Sequence, residues 1–310
     1  MGGTSKVGNI EAPGLDWIRS WAEESEFAVV LGVRIAELSS DQATVTLPFD
    51  DKLSNGDTAL HGGVSGSAIV VASGCVARAA LGPDAGPWHT AAVQVAYLSA
   101  ALNEGLSARA RLLRRGKELA HVQVDVTSDS GKPVAQGLLT VRGRLGAPDP
   151  PPVDADTALW TEIGPGSRDP DPGPMGPYIG SVPYHSTLGI SAEHMAGGLS
   201  RIVMPQSPST AGTDGSVHEG AVMSLIDTTG AMAAWAKTGP GRFKASTPGL
   251  QARILRPDPR GDLVGVGRVV HHDRELLFCE VEVRTSGRGD LVADGSVNYR
   301  IVTPDLTVSP

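Results

Sequence analysis

"HGGVSGSAIVVASGCVARAAL" (61–81) and "HEGAVMSLIDTTGAMAAWA" (218–236) decide how this chain folds. Both open on His, run on without proline, and are apolar nearly all round. A helix that lacks a polar face is enclosed on most sides and does not lie on a surface. One residue breaks the pattern. Asp227 sits among Ala, Val, Met, Leu, Ile and small hydroxyls, where an ionised carboxylate costs several kcal/mol unless it is paired or put to use.

The two stretches are copies. An offset of 157 takes His61 to His218 and Gly63 to Gly220, and it also takes Gly32 to Gly189, Thr90 to Thr247 and Gln94 to Gln251. It carries "KELAHVQVDV" (117–126) onto "RELLFCEVEV" (274–283), with no gap needed between Gly32 and Val126. The chain is therefore a tandem duplication. Its expected parts are an N-terminal extension (1–24), a first unit (25–145), a linker (146–181) and a second unit (182–305). The linker's Pro, Gly and Asp, dense over 146–177, predict a segment that packs poorly and lies on the surface.

Each copy has the same order of elements. An extended segment ("QATVTLPFD"; "GGLSRIVMP") leads through a polar Gly-rich loop to the apolar helix, which Gly82 or Gly239 closes. Three or four strands follow, in copy one "AAVQVAYLS", "LSARARLLRR", "AHVQVDVTS" and "VAQGLLTVRG". Their period of two marks antiparallel strands with one covered face. The fold class is α+β: a long central helix wrapped by a curved antiparallel β-sheet, twice over, which is a double hotdog.

Composition excludes several classes of function. Net charge is −8 and the pI about 5.5, without the concentrated basic face that a nucleic-acid partner requires. The two cysteines, Cys75 and Cys279, fall in different halves, which argues for a reducing compartment and against a disulfide framework or a zinc site. "MGGTSKVGNIEAPGLDW" holds no hydrophobic signal core, and no apolar run is read as membrane-spanning. "MGGTSK" matches a myristoylation pattern only superficially, and the plainer reading is a loose N-terminus. A cytoplasmic protein with no membrane partner is expected.

With the duplication in view, the sequence resembles the PaaI-like branch of the hotdog thioesterases, the acyl-CoA hydrolases related to phenylacetyl-CoA thioesterase. The resemblance covers residues 25–143 and 182–303 and rests on a loop Asn, a His-Gly-Gly at the helix start and an Asp nine positions after the His. It implies a reaction in which a Gly amide at the helix start polarises the thioester carbonyl. The Asp then acts as nucleophile or as base on water, the Asn holds substrate or water, and a hydroxyl on the next strand supports the Asp. Such sites lie between two units, one giving Asn-His-Gly and the other the Asp and hydroxyl.

Neither copy holds the whole set. Copy one has Asn55, His61, Gly62 and Gly63, but Val70 stands nine positions after the His. Copy two has His218, Asp227 and Thr247, but Gly212 replaces the Asn and Glu219 the oxyanion-hole Gly. Geometry pairs them without appeal to the family. Nine helical residues rise about 13.5 Å, so Asp227 cannot share a reacting carbonyl with the amides at its own helix start. One composite site is expected: Asn55, His61 and Gly62 from copy one, Asp227 and Thr247 from copy two. The mirror position (Val70, Gly212, His218, Glu219) is expected to be dead.

Plainer readings stand beside these. Asp227 is also explicable as a helix residue capped by Thr228 or Thr229, and Gly62 and Gly63 as allowing close packing. His61 reads equally well as a loop-bonding residue, Asn55 as a turn residue and Thr247 as a strand-start hydroxyl. For substrate binding the resemblance points to Gly63, to Gln251 lining an acyl pocket (a backbone role at a sheet edge is the simpler alternative), and to Arg115 and Arg274. Those arginines lie on the hairpins "LLRRGKEL" and "VVHHDREL", of the kind that flanks the pantetheine tunnel, although a solvated turn is the default. The expected chemistry needs no metal and no cofactor, coenzyme A entering only as part of an acyl-CoA substrate. A homo-oligomer, a pseudo-tetramer or pseudo-hexamer of hotdog units, is expected. Two alternatives remain. One is a hotdog enoyl-CoA hydratase or dehydratase, whose "GD.NP.H" loop "NGDTALHGG" approximates with Gly56, Asp57 and His61. The other is a catalytically decayed acyl-CoA-binding protein.

Overall fold

The computed structural model describes residues 14–148, 151 and 157–303. "MGGTSK" and part of the expected linker lie outside the described residues. Copy one comprises α1 (Asp16–Glu24), α2 (Glu26–Leu31), β1 (Arg34–Leu38), β2 (Gln42–Leu47), α3 (Gly62–Leu81), β3 (Trp88–Tyr97), β4 (Leu106–Arg115), β5 (Leu119–Ser128) and β6 (Pro133–Gly143). After it come α4 (Ala158–Ile163), α5 (Gly176–Ile179), α6 (Pro183–Leu188), β7 (Ser191–Ala196), β8 (Leu199–Met204), α7 (Glu219–Thr238), β9 (Lys244–Ile254), β10 (Leu263–Asp273), β11 (Leu276–Thr285) and β12 (Leu291–Val302).

All twelve strands form one antiparallel sheet in the order β1-β2-β4-β5-β6-β3-β9-β12-β11-β10-β8-β7. The second half repeats the first in reverse, so the copies meet across β3 and β9. Gln94 pairs with Gln251 there, flanked by Val93 with Ala252 and Val95 with Leu250. Gln94 and Gln251 are themselves equivalents, so the pseudo-twofold axis passes through that pair. The sheet curls around α3 and α7, whose side chains are buried almost throughout. Each fully buried Val, Leu or Ile contributes roughly 1.5–3 kcal/mol. By length and hydropathy alone α3 would qualify as a membrane span, contrary to the sequence reading, yet 89% of it is buried as the core helix.

Both helices begin and end alike. The Nδ1 atoms of His61 and His218 accept from the N–H groups of Gly63 and Gly220, each at 2.9 Å, satisfying a donor that has no partner within the helix. Gly82 and Gly239 close them at φ 89° and 84°. Between the helices Ser67 Oγ lies 2.7 Å from Gly63 O and 3.1 Å from Gly220 O. Its equivalent Ser224 lies 2.9 Å from Gly220 O and 3.4 Å from Gly63 O. The close crossing depends on glycine: a Cβ at Gly63 would sit 2.7 Å from Ser224 Oγ.

Three expectations need correcting. The edge strands β1 and β7 give each copy six strands, one more than the alternation suggests, because short edge strands need little apolar alternation. The extension over 1–24 is built in from residue 16, where α1 packs against α3 and buries Ile18 and Ala22. The linker also does more than connect. Its "ALWTEI" forms α4, where Leu159 and Ile163 are buried against Leu199, Val264 and Val266 on the outer face of the second copy's sheet.

Candidate active site

Asp227 lies midway along α7, held by buried Leu225 and Ile226, and is 4% exposed. Its Oδ1 accepts a 2.8 Å hydrogen bond from the Thr247 hydroxyl on β9. Its Oδ2 faces the start of the other helix: a Cβ added to Gly62 would lie 3.1 Å from it. Gly62 is the first residue of α3, and its N–H cannot bond within the helix. Thus the carboxylate of one copy stands beside the positive end of the other copy's helix. Burial raises the Asp227 pKa from 3.8 to about 6, the Thr247 bond opposing the rise.

Three phenols lie within reach of the Asp227 charge. A Cβ at Gly66 would lie 3.1 Å from the Tyr97 hydroxyl, Tyr184 OH lies 2.9 Å from Ser224 Oγ, and Tyr299 OH takes a hydrogen bond from Trp235 Nε1 at 3.2 Å. Burial first, with the Asp227 charge adding to it, pushes all three phenols upward, Tyr184 to about 12. They stay protonated at neutral pH, and Asp227 is the group among them that titrates near neutrality.

Comparison with known proteins fits this division of labour between unlike halves. Residues 214–292, which include Asp227 and Thr247, match the family model of the thioesterase superfamily. Residues 23–142 match a different model, the domain of unknown function DUF4442. A Halobacterium salinarum protein, assigned by inference to the esterases, is 28% identical over 131 residues, covering 41% of this chain and 86% of that protein. A hotdog-fold protein of Alicyclobacillus acidocaldarius superposes with a TM-score of 0.63 at 16% identity, over 91% of this chain and 98% of the other. An acyl-CoA thioesterase II of Mycobacterium marinum superposes with a TM-score of 0.55 at 13% identity, over 91% and 98%. The fold is a tandem hotdog, and its second copy carries the match to the thioesterase superfamily.

Within this tandem hotdog the mirror position is filled. Glu219 Oε1, where Gly62 has only hydrogen, accepts from the Thr90 N–H at 2.9 Å. The Arg78 guanidinium stacks 3.4 Å above Trp21 of α1 and 5.0 Å from Trp88, and its charge offsets part of the burial that raises the Glu219 pKa. A Cβ at Gly74 would lie 2.5 Å from the Trp21 ring. A first-turn acid, an arginine and two indoles therefore gather at the mirror position. Thr90 thus binds a carboxylate through its backbone N–H, the one at 219.

The other sequence candidates divide. His61 caps α3 through Nδ1 and contacts His185 through Nε2, 3.0 Å away, so both ring nitrogens are engaged inside the protein. Gly63 packs against Ser224 and Tyr184. Asn55 is exposed, and its backbone N–H bonds Ala59 O at 3.0 Å. Gln251 points away from the helices. It lines a groove of about 860 Å³ on the outer face of the sheet, with Gln94, Leu138 and Glu280. Its neighbours Leu250 and Ala252 face inward, so strand alternation denies Gln251 a place beside Asp227. Arg115 and Arg274 are exposed, Arg274 at φ 54° in its turn, and no contact joins either to Asp227.

Residues that sequence reasoning missed include Tyr97, Tyr184, His185, Thr228 and Tyr299. The 157-residue offset held a signal for three of them. Tyr184, His185 and Thr228 stand where copy one has Phe27, Ala28 and Val71.

Proposed function

We propose that the chain is an acyl-CoA thioesterase with one working site, built between its two copies. In this reading the Gly62 N–H stabilises the oxyanion that forms when the thioester carbonyl is attacked, and Asp227 supplies the attack. As base, Asp227 takes a proton from water as the water oxygen bonds the carbonyl carbon. As nucleophile, its Oδ2 forms that bond first and water then cleaves the resulting anhydride. Either route expels the coenzyme A thiol. Thr247 holds the carboxylate in place through Oδ1. The single observation that carries the reading is the carboxylate of one copy set against Gly62, at the helix start of the other, with the mirror position closed. Asp57, which a hydratase would need, instead closes a turn by accepting the Ala59 N–H at 2.8 Å.

The test is hydrolysis across a panel of acyl-CoAs, with enoyl-CoA hydration assayed beside it. The reading expects wild-type hydrolysis without hydration, abolished by Asp227→Asn and largely retained by Val70→Ala. Full activity in both variants would refute the composite site, while hydration without hydrolysis would establish the hydratase alternative. Binding without turnover would leave a decayed acyl-CoA module.

A further inference from the structure

Position by position, polar residues cluster on one side of the pseudo-twofold axis. Asp227, Thr228 and His185 stand where copy one has Val70, Val71 and Ala28. Thr228 and His185 are buried at 1% and 3% exposure, and they touch. His185 Nε2 lies 3.2 Å from Thr228 Oγ1 and 3.0 Å from His61 Nε2, while His185 Nδ1 lies 3.1 Å from Ile179 O.

These distances leave one placement of the protons. His61 Nδ1 accepts from the Gly63 N–H and therefore carries no hydrogen. Its proton sits on Nε2 and is donated to His185 Nε2. That leaves the His185 proton on Nδ1, pointing at the Ile179 carbonyl. Burial lowers the pKa of both rings, His185 to about 4, so both stay neutral while Asp227 titrates. The chain of bonds starts at the cap of α3, one residue before the Gly62 amide, and ends on Thr228, one residue after Asp227.

The plugged side supplies an internal comparison. His218 caps α7 just as His61 caps α3, but it stacks on Phe27 with ring centroids 4.7 Å apart and has Ala28 in place of a second histidine. Capping alone does not need His185. We propose that His185 is a positioning residue, which holds the His61 ring as acceptor of its Nε2–H and ties the Gly62 helix start to the turn of α7 that bears Asp227. A misplacement of about 1 Å between attacking and stabilising groups costs up to 100-fold in rate.

The proposal rests on the composite-site reading, and its test separates the two. Long-range ¹H–¹⁵N spectra of the full chain report which nitrogen of His61 carries the proton, independently of turnover. Wild type is expected to show the Nε2–H form alone. His185→Ala should keep the Nε2–H form, which the Gly63 N–H fixes, but shift the His61 Nε2–H resonance as its acceptor is lost, and should lower kcat by about 10- to 100-fold with KM little changed. His185→Gln, whose amide oxygen accepts the His61 proton, should restore most of both. Thr228→Val, which copies the plugged side and leaves little cavity, should lower kcat with the His61 signal retained. Asp227→Asn should leave the His61 signal intact, so activity surviving in that variant would condemn the site reading and not the histidine chain. An unchanged His61 Nε2–H resonance or an unchanged kcat in His185→Ala overturns the proposal. Should that variant fail to fold, an unchanged kcat in Thr228→Val overturns it instead.

Discussion

At the scale of the residue, Asp227 sets activity against stability. Its ionised form does the proposed work, so kcat/KM should rise with pH through about 6, the value to which burial raises the carboxyl. Stability runs the other way. The folded-state pKa lies above the unfolded one, so the unfolded chain binds fewer protons between roughly pH 4 and 6. The stability this group contributes is complete below pH 4 and is lost as pH rises through 6, by about 3 kcal/mol for a shift of that size. Asp227→Asn should therefore raise the urea midpoint at pH 7 while abolishing turnover, and a lowered midpoint would mean that the carboxylate is structurally favourable. Gly62 calls for a paired test because any Cβ there crowds Oδ2. Gly62→Ala adds the Cβ and keeps the N–H, whereas Gly62→Pro adds it and deletes the N–H at a helix position that tolerates proline. Loss of one oxyanion donor costs ~2.7–4 kcal/mol, so Pro should be about 100-fold or more worse than Ala in kcat. Equal rates would remove the amide from the mechanism.

At the scale of the element, the unlike fates of the two half-sites trace to what covers them. Helix α1 lays Trp21 over Gly74 and Arg78, while the equivalent of Trp21 in copy two, Tyr178, is 70% exposed. Trp21→Ala should cost about 3 kcal/mol in urea unfolding, near the low end for such truncations because the ring is only partly buried. It should spare turnover, since α1 covers the opposite side, and a matching loss of kcat would show that the plug supports the working site. The central helices and most strands were legible from sequence because enclosure and alternation are local patterns. The plug was not. Trp21 reads as one apolar residue of a short helix, and only its contact with Arg78, 57 positions away in sequence, reveals its use. For α4, the Pro and Gly around "ALWTEI" outweighed the two residues, Leu159 and Ile163, that bury it. Gln251 misled for another reason: retention in both copies marks the pseudo-twofold axis as readily as it marks a pocket.

At the scale of the whole molecule, duplication allowed the halves to diverge. A symmetric pair would carry two equivalent half-sites. Here Glu219 stands in one copy where the other has Gly62, and Val70 stands where the other has Asp227, while the β3–β9 seam joins the two copies. The juxtaposition of Asp227 with Gly62 was legible because the repeat needs no gap from Gly32 to Val126 and helix rise keeps Asp227 away from its own helix start. The second histidine lay in the same arithmetic, but a buried His takes its meaning from its partners, which sequence does not supply. On the outer face Leu113 and Leu138 are 46% and 49% exposed, an apolar pair beside the groove, and we propose that copies of the chain associate there. Light scattering should give more than one chain per particle, and a monomer would leave that face without a covering partner.

The most direct measurement is the number of substrate-sized ligands that one chain binds. Calorimetric titration with a non-hydrolysable thioether analogue of an acyl-CoA should give one site per chain, with Trp21 and Glu219 closing the mirror position. Two equivalent sites per chain would contradict the account.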